Sequence, residues 1–188
     1  MKKAINIGLA ALMVLAVSAQ AQKSVKIGNQ FWMVENLNDA SKGGKCYEDK
    51  PENCKKYGLL YTWKEATKAC PKGWHLPSNE EWQTLVYFAG GDKRAGTKLK
   101  AKKGWNDDDD GESGNGTDDF GFSALPGGSA PKDLFKVFEG VGYNGVLWSA
   151  TELSIDYAYE WFLNYGDSEV SKFRGGKLDF LSVRCVKD

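Results

Sequence analysis

A run of acidic residues in the middle of the chain has a spacing that proteins use to bind calcium. Asn106, Asp108 and Asp110 place an oxygen at every second position, and a glycine follows them. Alternating oxygens before a glycine open many calcium loops, because these oxygens converge on one hard cation. Thr117 stands where such a loop carries its glutamate, so Asp118, or the aspartate after it, is the predicted late ligand. The sequence therefore predicts a calcium site here, with a solvated acidic loop as the alternative.

Three aromatic residues close to glycine-rich loops are candidates for contact with a ligand. They are Trp105, Tyr143 and Trp148. An exposed aromatic face can stack on the C–H face of a sugar ring. The other aromatic residues are expected in the core, because large rings bury much area where regular structure is sparse.

His75 is the only histidine, which excludes a metal site built on two histidines. A catalytic base needs a nucleophile within hydrogen-bond reach and a third group that orients it. The sequence identifies neither, so we expect His75 to make structural hydrogen bonds. No catalytic residue is predicted.

The four cysteines predict two disulfides if the protein is exported, because disulfides persist in oxidising compartments. Four cysteines allow three pairings. We favour Cys46–Cys54, which closes a short loop, and Cys70–Cys185, which ties the middle of the chain to its end. A redox-active thiol is the alternative, but no electropositive pocket that would activate it is recognisable.

Residues 1–21 have the pattern of a signal peptide. Lys2 and Lys3 precede an apolar run that is too short for a comfortable membrane span, and Ala19-Gln20-Ala21 supplies small residues at the cleavage positions. We expect cleavage before Gln22, with no lipid anchor, because no cysteine follows. The protein is therefore expected to be secreted, to the periplasm, the cell surface or the medium.

Composition limits the classes of partner. The 188 residues carry 25 basic and 25 acidic side chains, and removal of the leader gives a net charge of about −2. Such a balance offers no basic surface for nucleic acid or for anionic lipid. We expect no nucleic-acid partner and no membrane insertion after cleavage. Without repeats or linkers, residues 22–188 are predicted to form one domain.

Two helices are predicted from composition and capping residues. Residues 63–69 favour a helix that ends before Pro71. Ser78 and Glu81 form a capping box, and apolar residues at helical spacing follow until Gly90-Gly91. The stretch between the second helix and residue 119 is predicted to be loop, since it is basic at first and then acidic and glycine-rich.

Short strands are predicted around these helices. The predicted ranges are 25–27, 31–35, 121–125, 146–151, 157–165, 169–173 and 178–186. With helices in the first half and antiparallel strands in the second, the fold class is α+β.

Taken together, several motifs in fixed order resemble one family across the whole mature chain, that of the Fibrobacter succinogenes major paralogous domain. The segments that carry the resemblance are residues 27–37, 57–63, 70–77, 81–82, 116–128, 148–152 and 182–186. The family occurs in secreted and surface proteins of bacteria, and its function is poorly defined.

The order of elements also resembles a C-type-lectin-like fold, and more weakly that of the formylglycine-generating enzymes. This resemblance implies a disulfide between the first helix and the final strand, which supports Cys70–Cys185. We expect a non-enzymatic binding module that recognises extracellular glycan or a partner protein through its long-loop face, formed by residues 105–119 together with residues 143–148. The alternatives are a formylglycine-generating-type enzyme and a structural cell-surface component.

Overall fold

A computed structural model describes residues 22–132 and 137–188. The signal-peptide prediction for residues 1–21 lies outside the described residues. Within the described ranges, no helix combines the length and the apolar character that crossing a membrane requires.

Among the described residues, four α-helices lie in the first half of the domain, and the α+β class is confirmed. The helices are α1 (Pro51–Tyr57), α2 (Trp63–Ala69), α3 (Asn79–Phe88) and α4 (Asp92–Leu99). The predicted capping box of α3 is present, since the Ser78 hydroxyl accepts the backbone N–H of Glu81 and the Glu81 carboxylate accepts that of Ser78. Helix α2 begins with a second capping box, formed by Thr62 and Glu65.

The strands form two sheets. They are β1 (Ser24–Ile27), β2 (Gln30–Met33), β3 (Leu60–Tyr61), β4 (Trp74–His75), β5 (Gly127–Ser129), β6 (Glu139–Val141), β7 (Asn144–Glu152), β8 (Tyr157–Asn164), β9 (Val170–Gly176), β10 (Leu181–Ser182) and β11 (Val186–Lys187). The smaller sheet has the order β1-β2-β11-β4, and the larger contains β3-β10-β7-β5-β6. Strands β7, β8 and β9 form an antiparallel layer in the larger sheet.

Helix α4 occupies a region that was predicted to be loop. Its buried residues are Ala95, Gly96 and Leu99, so its apolar stripe is narrow and contains a glycine. Glycine disfavours helix by about 1 kcal/mol relative to alanine. Here a side chain at position 96 would collide with the carbonyl oxygens of Ser168 and Glu169. Packing against that backbone therefore overrides propensity.

Two predicted strands differ from the structure. The segment 121–125 forms no strand and has only one bridge, between Ala124 and Lys100. The segment 178–186 forms two short strands, β10 and β11, because the chain passes from the larger sheet to the smaller one there. Arg184 lies in this crossing and is fully buried.

Two apolar clusters pack around the sheets. One includes residues of α3 and α4 together with Trp32, Trp161 and Leu163. The other includes residues of α2 with Trp148 and Ala158, and the cysteines of both predicted disulfides lie within it or pack against it.

Candidate functional site

A surface cavity lies where three strands of the larger sheet begin or end beside the start of α2. Strand β7 ends there, β8 begins, and β9 ends. We call this site the strand-end cavity. It has a volume of about 590 Å³ and is lined by Trp63, Lys64, Lys132, Ile155, Asp156, Tyr157, Gly176, Lys177, Leu178 and Asp179.

Trp63 is held rigidly on one wall of the strand-end cavity. Its indole N–H donates to the carbonyl of Ser149 over 2.9 Å, and its backbone N–H donates to the carbonyl of Lys177 over 3.1 Å. The Lys177 ammonium lies 4.5 Å from the centre of the indole ring and also pairs with Glu152. The Lys177 ammonium therefore covers one face of the ring, and the Glu152 carboxylate balances its charge.

Apolar side chains surround the opening of the cavity. Ile155 is 87 % exposed, Leu178 is 55 % exposed and Tyr157 is 40 % exposed. The turn that carries Ile155 is ordered, because the Tyr157 carbonyl accepts the N–H groups of Leu153 and Ser154. A rigid turn thus presents a large aliphatic side chain to solvent.

The charged groups of the cavity fall into two kinds. Asp179 stabilises the backbone around the cavity, since its carboxylate accepts the backbone N–H groups of Lys132 and Gly176, each over 2.8 Å. The side chains of Lys64 and Lys132 are exposed and form no salt bridge among the described residues. The cavity consequently has an apolar mouth with free cations at its rim.

Glu160 lies close to this site on strand β8. Burial raises the pKa of its carboxyl to about 7, and the nearby charge of Asp179 acts in the same direction. Gly175 leaves room for the carboxyl group, because a side chain there would collide with Glu160 and with the Trp148 ring. Glu160 is therefore a carboxyl group that titrates near neutral pH.

Two of the three predicted ligand-contacting aromatics are buried, so the prediction for them is wrong. Trp105 is 4 % exposed and Trp148 is 0 % exposed. Their indole N–H groups donate to the carbonyls of Ala124 and Tyr61 respectively. Both rings are therefore part of the core and are not exposed on the surface of the loops.

The third aromatic, Tyr143, remains accessible at the opposite end of the β7–β8–β9 layer. It is 45 % exposed and meets Tyr165 edge-on, with ring centres 4.9 Å apart. The acidic segment, residues 106–119, lies beside this pair. Asp109 raises the pKa of Tyr165, with smaller contributions from burial, Tyr143 and Asp108. The long-loop face thus retains one aromatic pair next to carboxylates.

The four predicted calcium ligands do not converge. Asp108 accepts the backbone N–H groups of Asp110 and Glu112, and both oxygens of Asp118 are bonded to Ser123. Asn106 lies beside Gly142. Among the described residues, no group of three or more histidine, cysteine or acidic side chains can hold a metal ion. The acidic segment instead closes on itself as a hairpin, with Asp107 bridged to Ser113.

His75 bridges two carboxylates, and the prediction of structural hydrogen bonds is confirmed. Its Nδ1 lies 2.7 Å from Oδ1 of Asp188, and its Nε2 lies 2.7 Å from Oε1 of Glu81. Burial lowers the pKa of the imidazole, but the hydrogen bonds to the two carboxylates outweigh that effect and raise it. The three groups form a chain and do not converge on one point.

Two buried cations were not recognised from the sequence. Arg184 is fully buried and donates to the side-chain oxygen of Asn36 and to the carbonyls of Met33 and Phe122. Burial lowers the pKa of Arg184 to about 9, so the guanidinium is charged at neutral pH. Lys100 is 3 % exposed and donates to three carbonyls in the 164–167 turn.

All four cysteines are paired. The structure joins Cys46 to Cys54 and Cys70 to Cys185, which is the pairing favoured from the sequence. No cysteine remains free.

Comparison with known proteins gives one match. The family model of the Fibrobacter succinogenes major domain matches residues 25–187. No curated protein matches, and no solved structure matches.

Proposed function

This chain belongs to the Fibrobacter succinogenes major domain family, and from that premise we propose that it is a secreted, non-enzymatic binding module for a partner protein. The strand-end cavity is the proposed contact surface. The proposal places an apolar side chain of the partner in the cavity mouth, between Ile155 and Leu178.

The observation that carries the proposal is the group of exposed apolar side chains around a rigid cavity. Soluble proteins rarely expose large contiguous apolar patches unless they bind something. The volume of about 590 Å³ lies in the range of ligand pockets, about 300–1,000 Å³. Aliphatic side chains at the mouth favour an apolar protein group over a sugar, and the ammonium of Lys177 covers the indole face on which a sugar would stack.

The test is selection from a peptide-display library on the immobilised mature protein. Peptides with a hydrophobic anchor residue should be enriched, and they should bind at least tenfold more weakly to the double variant Ile155→Ser, Leu178→Ser. Both side chains are exposed, so the double variant should keep the unfolding midpoint of the wild type. Phe31→Ser is the control, because Phe31 is also an exposed apolar residue but lies on β2 of the smaller sheet. Equal binding by the double variant would contradict the proposal.

A glycan ligand at the long-loop face is the second candidate, supported by the Tyr143–Tyr165 pair beside the acidic segment. Carboxylates next to an exposed aromatic ring are suited to sugar hydroxyls and C–H faces. A glycan array with the wild type and with Tyr143→Ala tests it. A saturable signal that disappears in Tyr143→Ala supports the second candidate, and an empty array contradicts it.

The remaining parts of the proposal concern fold and chemistry. A relationship to the C-type-lectin-like fold is supported by the disulfide between the end of α2 and the segment before β11. The pairing of all four cysteines argues against a formylglycine-generating-type enzyme, whose chemistry uses free thiols. The two disulfides also agree with the expected export. A structural cell-surface component is the outcome if neither peptides nor glycans bind saturably.

A further inference from the structure

Strand β9 is an open edge of the larger sheet. It is seven residues long and pairs with β8 over its full length, from Leu163↔Val170 to Tyr157↔Gly176. Among the described residues it pairs with no other strand. Residues 171–175 make no other backbone hydrogen bond within the described part of the chain. Their outward N–H and C=O groups are therefore available.

Only the beginning of this edge is covered. The N–H of Gly96 in α4 donates to the carbonyl of Ser168, and Lys93 pairs with Glu169. From Ser171 onward neither contact continues. Natural proteins usually shield a strand edge of this length, because an unpaired edge is a template for another strand.

A groove borders the open edge on the α3 side. It has a volume of about 550 Å³ and lies between Lys172 of β9 and the exposed face of α3, lined by Asn79, Glu80, Gln83, Thr84 and Tyr87. A strand added to β9 would lie about 4.8 Å from it. Every second side chain of that strand would then point into the groove.

The side chains of β9 define what the added strand should carry. Lys172 and Arg174 share the α3-side face, where they lie over Tyr159 and Tyr157 at 5.2 and 5.1 Å. Neither forms a salt bridge among the described residues. Phe173, on the other face, is 52 % exposed. Acidic residues opposite Lys172 and Arg174, and apolar ones toward Phe173, complement this pattern.

The same charges disfavour a second copy of this chain as the occupant. Antiparallel pairing of two β9 strands about Phe173 would place Lys172 of each copy opposite Arg174 of the other. Like charges directly opposite each other destabilise a strand pair.

We propose that the open edge of β9 accepts an extended segment of a partner protein, in which acidic residues alternate with apolar ones, as an additional strand. Backbone hydrogen bonds would supply affinity, and the groove and Phe173 would select the sequence. This surface is separate from the strand-end cavity, and the proposal does not depend on the function proposed there.

The experiment uses the mature protein and a seven-residue acetylated peptide that alternates glutamate and valine. We expect saturable binding, with slower amide hydrogen exchange in residues 171–175. The double variant Lys172→Glu, Arg174→Glu should bind this peptide at least tenfold more weakly and should gain binding to the matching lysine–valine peptide. Lys68→Glu is the control, because it reverses an exposed charge on α2 that lines neither the groove nor the strand-end cavity, and it should leave binding unchanged.

Two results would overturn the proposal. One is the absence of saturable binding up to about 1 mM, which corresponds to about −4 kcal/mol. The other is binding that leaves the exchange of residues 171–175 unaltered or that the charge reversal does not affect.

Discussion

The imidazole Nε2 of His75 lies 2.7 Å from Oε1 of Glu81, while Oε2 of the same carboxylate accepts the backbone N–H of Ser78. Glu81 therefore caps helix α3 and also binds the side chain of His75 in strand β4. Because the other ring nitrogen meets Asp188 at the same distance, both nitrogens carry hydrogen when both contacts form. Both hydrogen bonds of His75 can therefore form at once only when its imidazole is protonated.

His75→Gln should destabilise the protein more at pH 5.5 than at pH 8.5. The pKa of His75 is raised in the folded state. Its contribution to the free energy of unfolding is therefore fully present below its unfolded pKa and is lost as pH rises through the folded value. The site is part-exposed, so the difference should stay below about 1 kcal/mol. Urea unfolding at both pH values measures it, and a larger loss at pH 8.5 would contradict the assignment.

Glu160→Gln should stabilise the protein at pH 8 relative to pH 5. The pKa of Glu160 is raised to about 7, above its unfolded value. The wild type therefore loses stability as pH rises through that range, and glutamine does not. The gain at pH 8 should be on the order of 1–3 kcal/mol. Parallel stability curves for Glu160→Gln and wild type would refute the prediction.

Arg184→Met should cost about 3–5 kcal/mol in the free energy of unfolding, because it leaves buried carbonyls and the Asn36 oxygen without donors. Arg184→Lys should also destabilise, since an ammonium cannot reproduce the planar set of contacts. Asn36→Ala should couple to Arg184→Met in a double-mutant cycle by more than 0.5 kcal/mol. Additive effects would show that the contact between the two residues adds no stability.

Calcium should not shift the thermal midpoint of the mature protein, because Asp108, Asp110 and Asp118 do not form a metal-holding group. Asp108→Ala should nevertheless destabilise by about 1 kcal/mol, since two backbone N–H groups lose their acceptor. Thermal melts in calcium and in chelator test both statements. A midpoint that rises by several degrees with calcium in the wild type, but not in Asp108→Ala, would restore the metal site.

The sequence predicted the elements whose signals are local. The Ser78–Glu81 capping box and the alternation along β8 depend on neighbouring residues only, and both elements formed at the predicted places. Helix α1 also carries local signals, with Pro51 at its start and Gly58 after its end, but no helix was predicted there. Helix α4 has weak local signals and forms through packing on the 168–169 backbone.

The candidate surfaces were less predictable, because exposure depends on which parts of the chain come together. Trp105 and Trp148 have neighbours that are typical of a loop rim, yet both are core residues. The strand-end cavity joins Trp63 with Ile155 and Leu178, which are distant in sequence. The open edge of β9 depends on strand order, which periodicity does not encode.

The position of the C-terminal strands has a consequence for the order of folding. Strand β11 lies between β2 and β4, and β10 lies between β3 and β7, so residues 181–187 occupy the interior of both sheets. A chain that emerges from the ribosome with its N-terminus first cannot complete either sheet until these residues are synthesised. Strands β3 and β4 must wait for these residues, because β10 and β11 are their partner strands, whereas β1 can pair with β2, and β8 with β7 and β9, before the chain is complete.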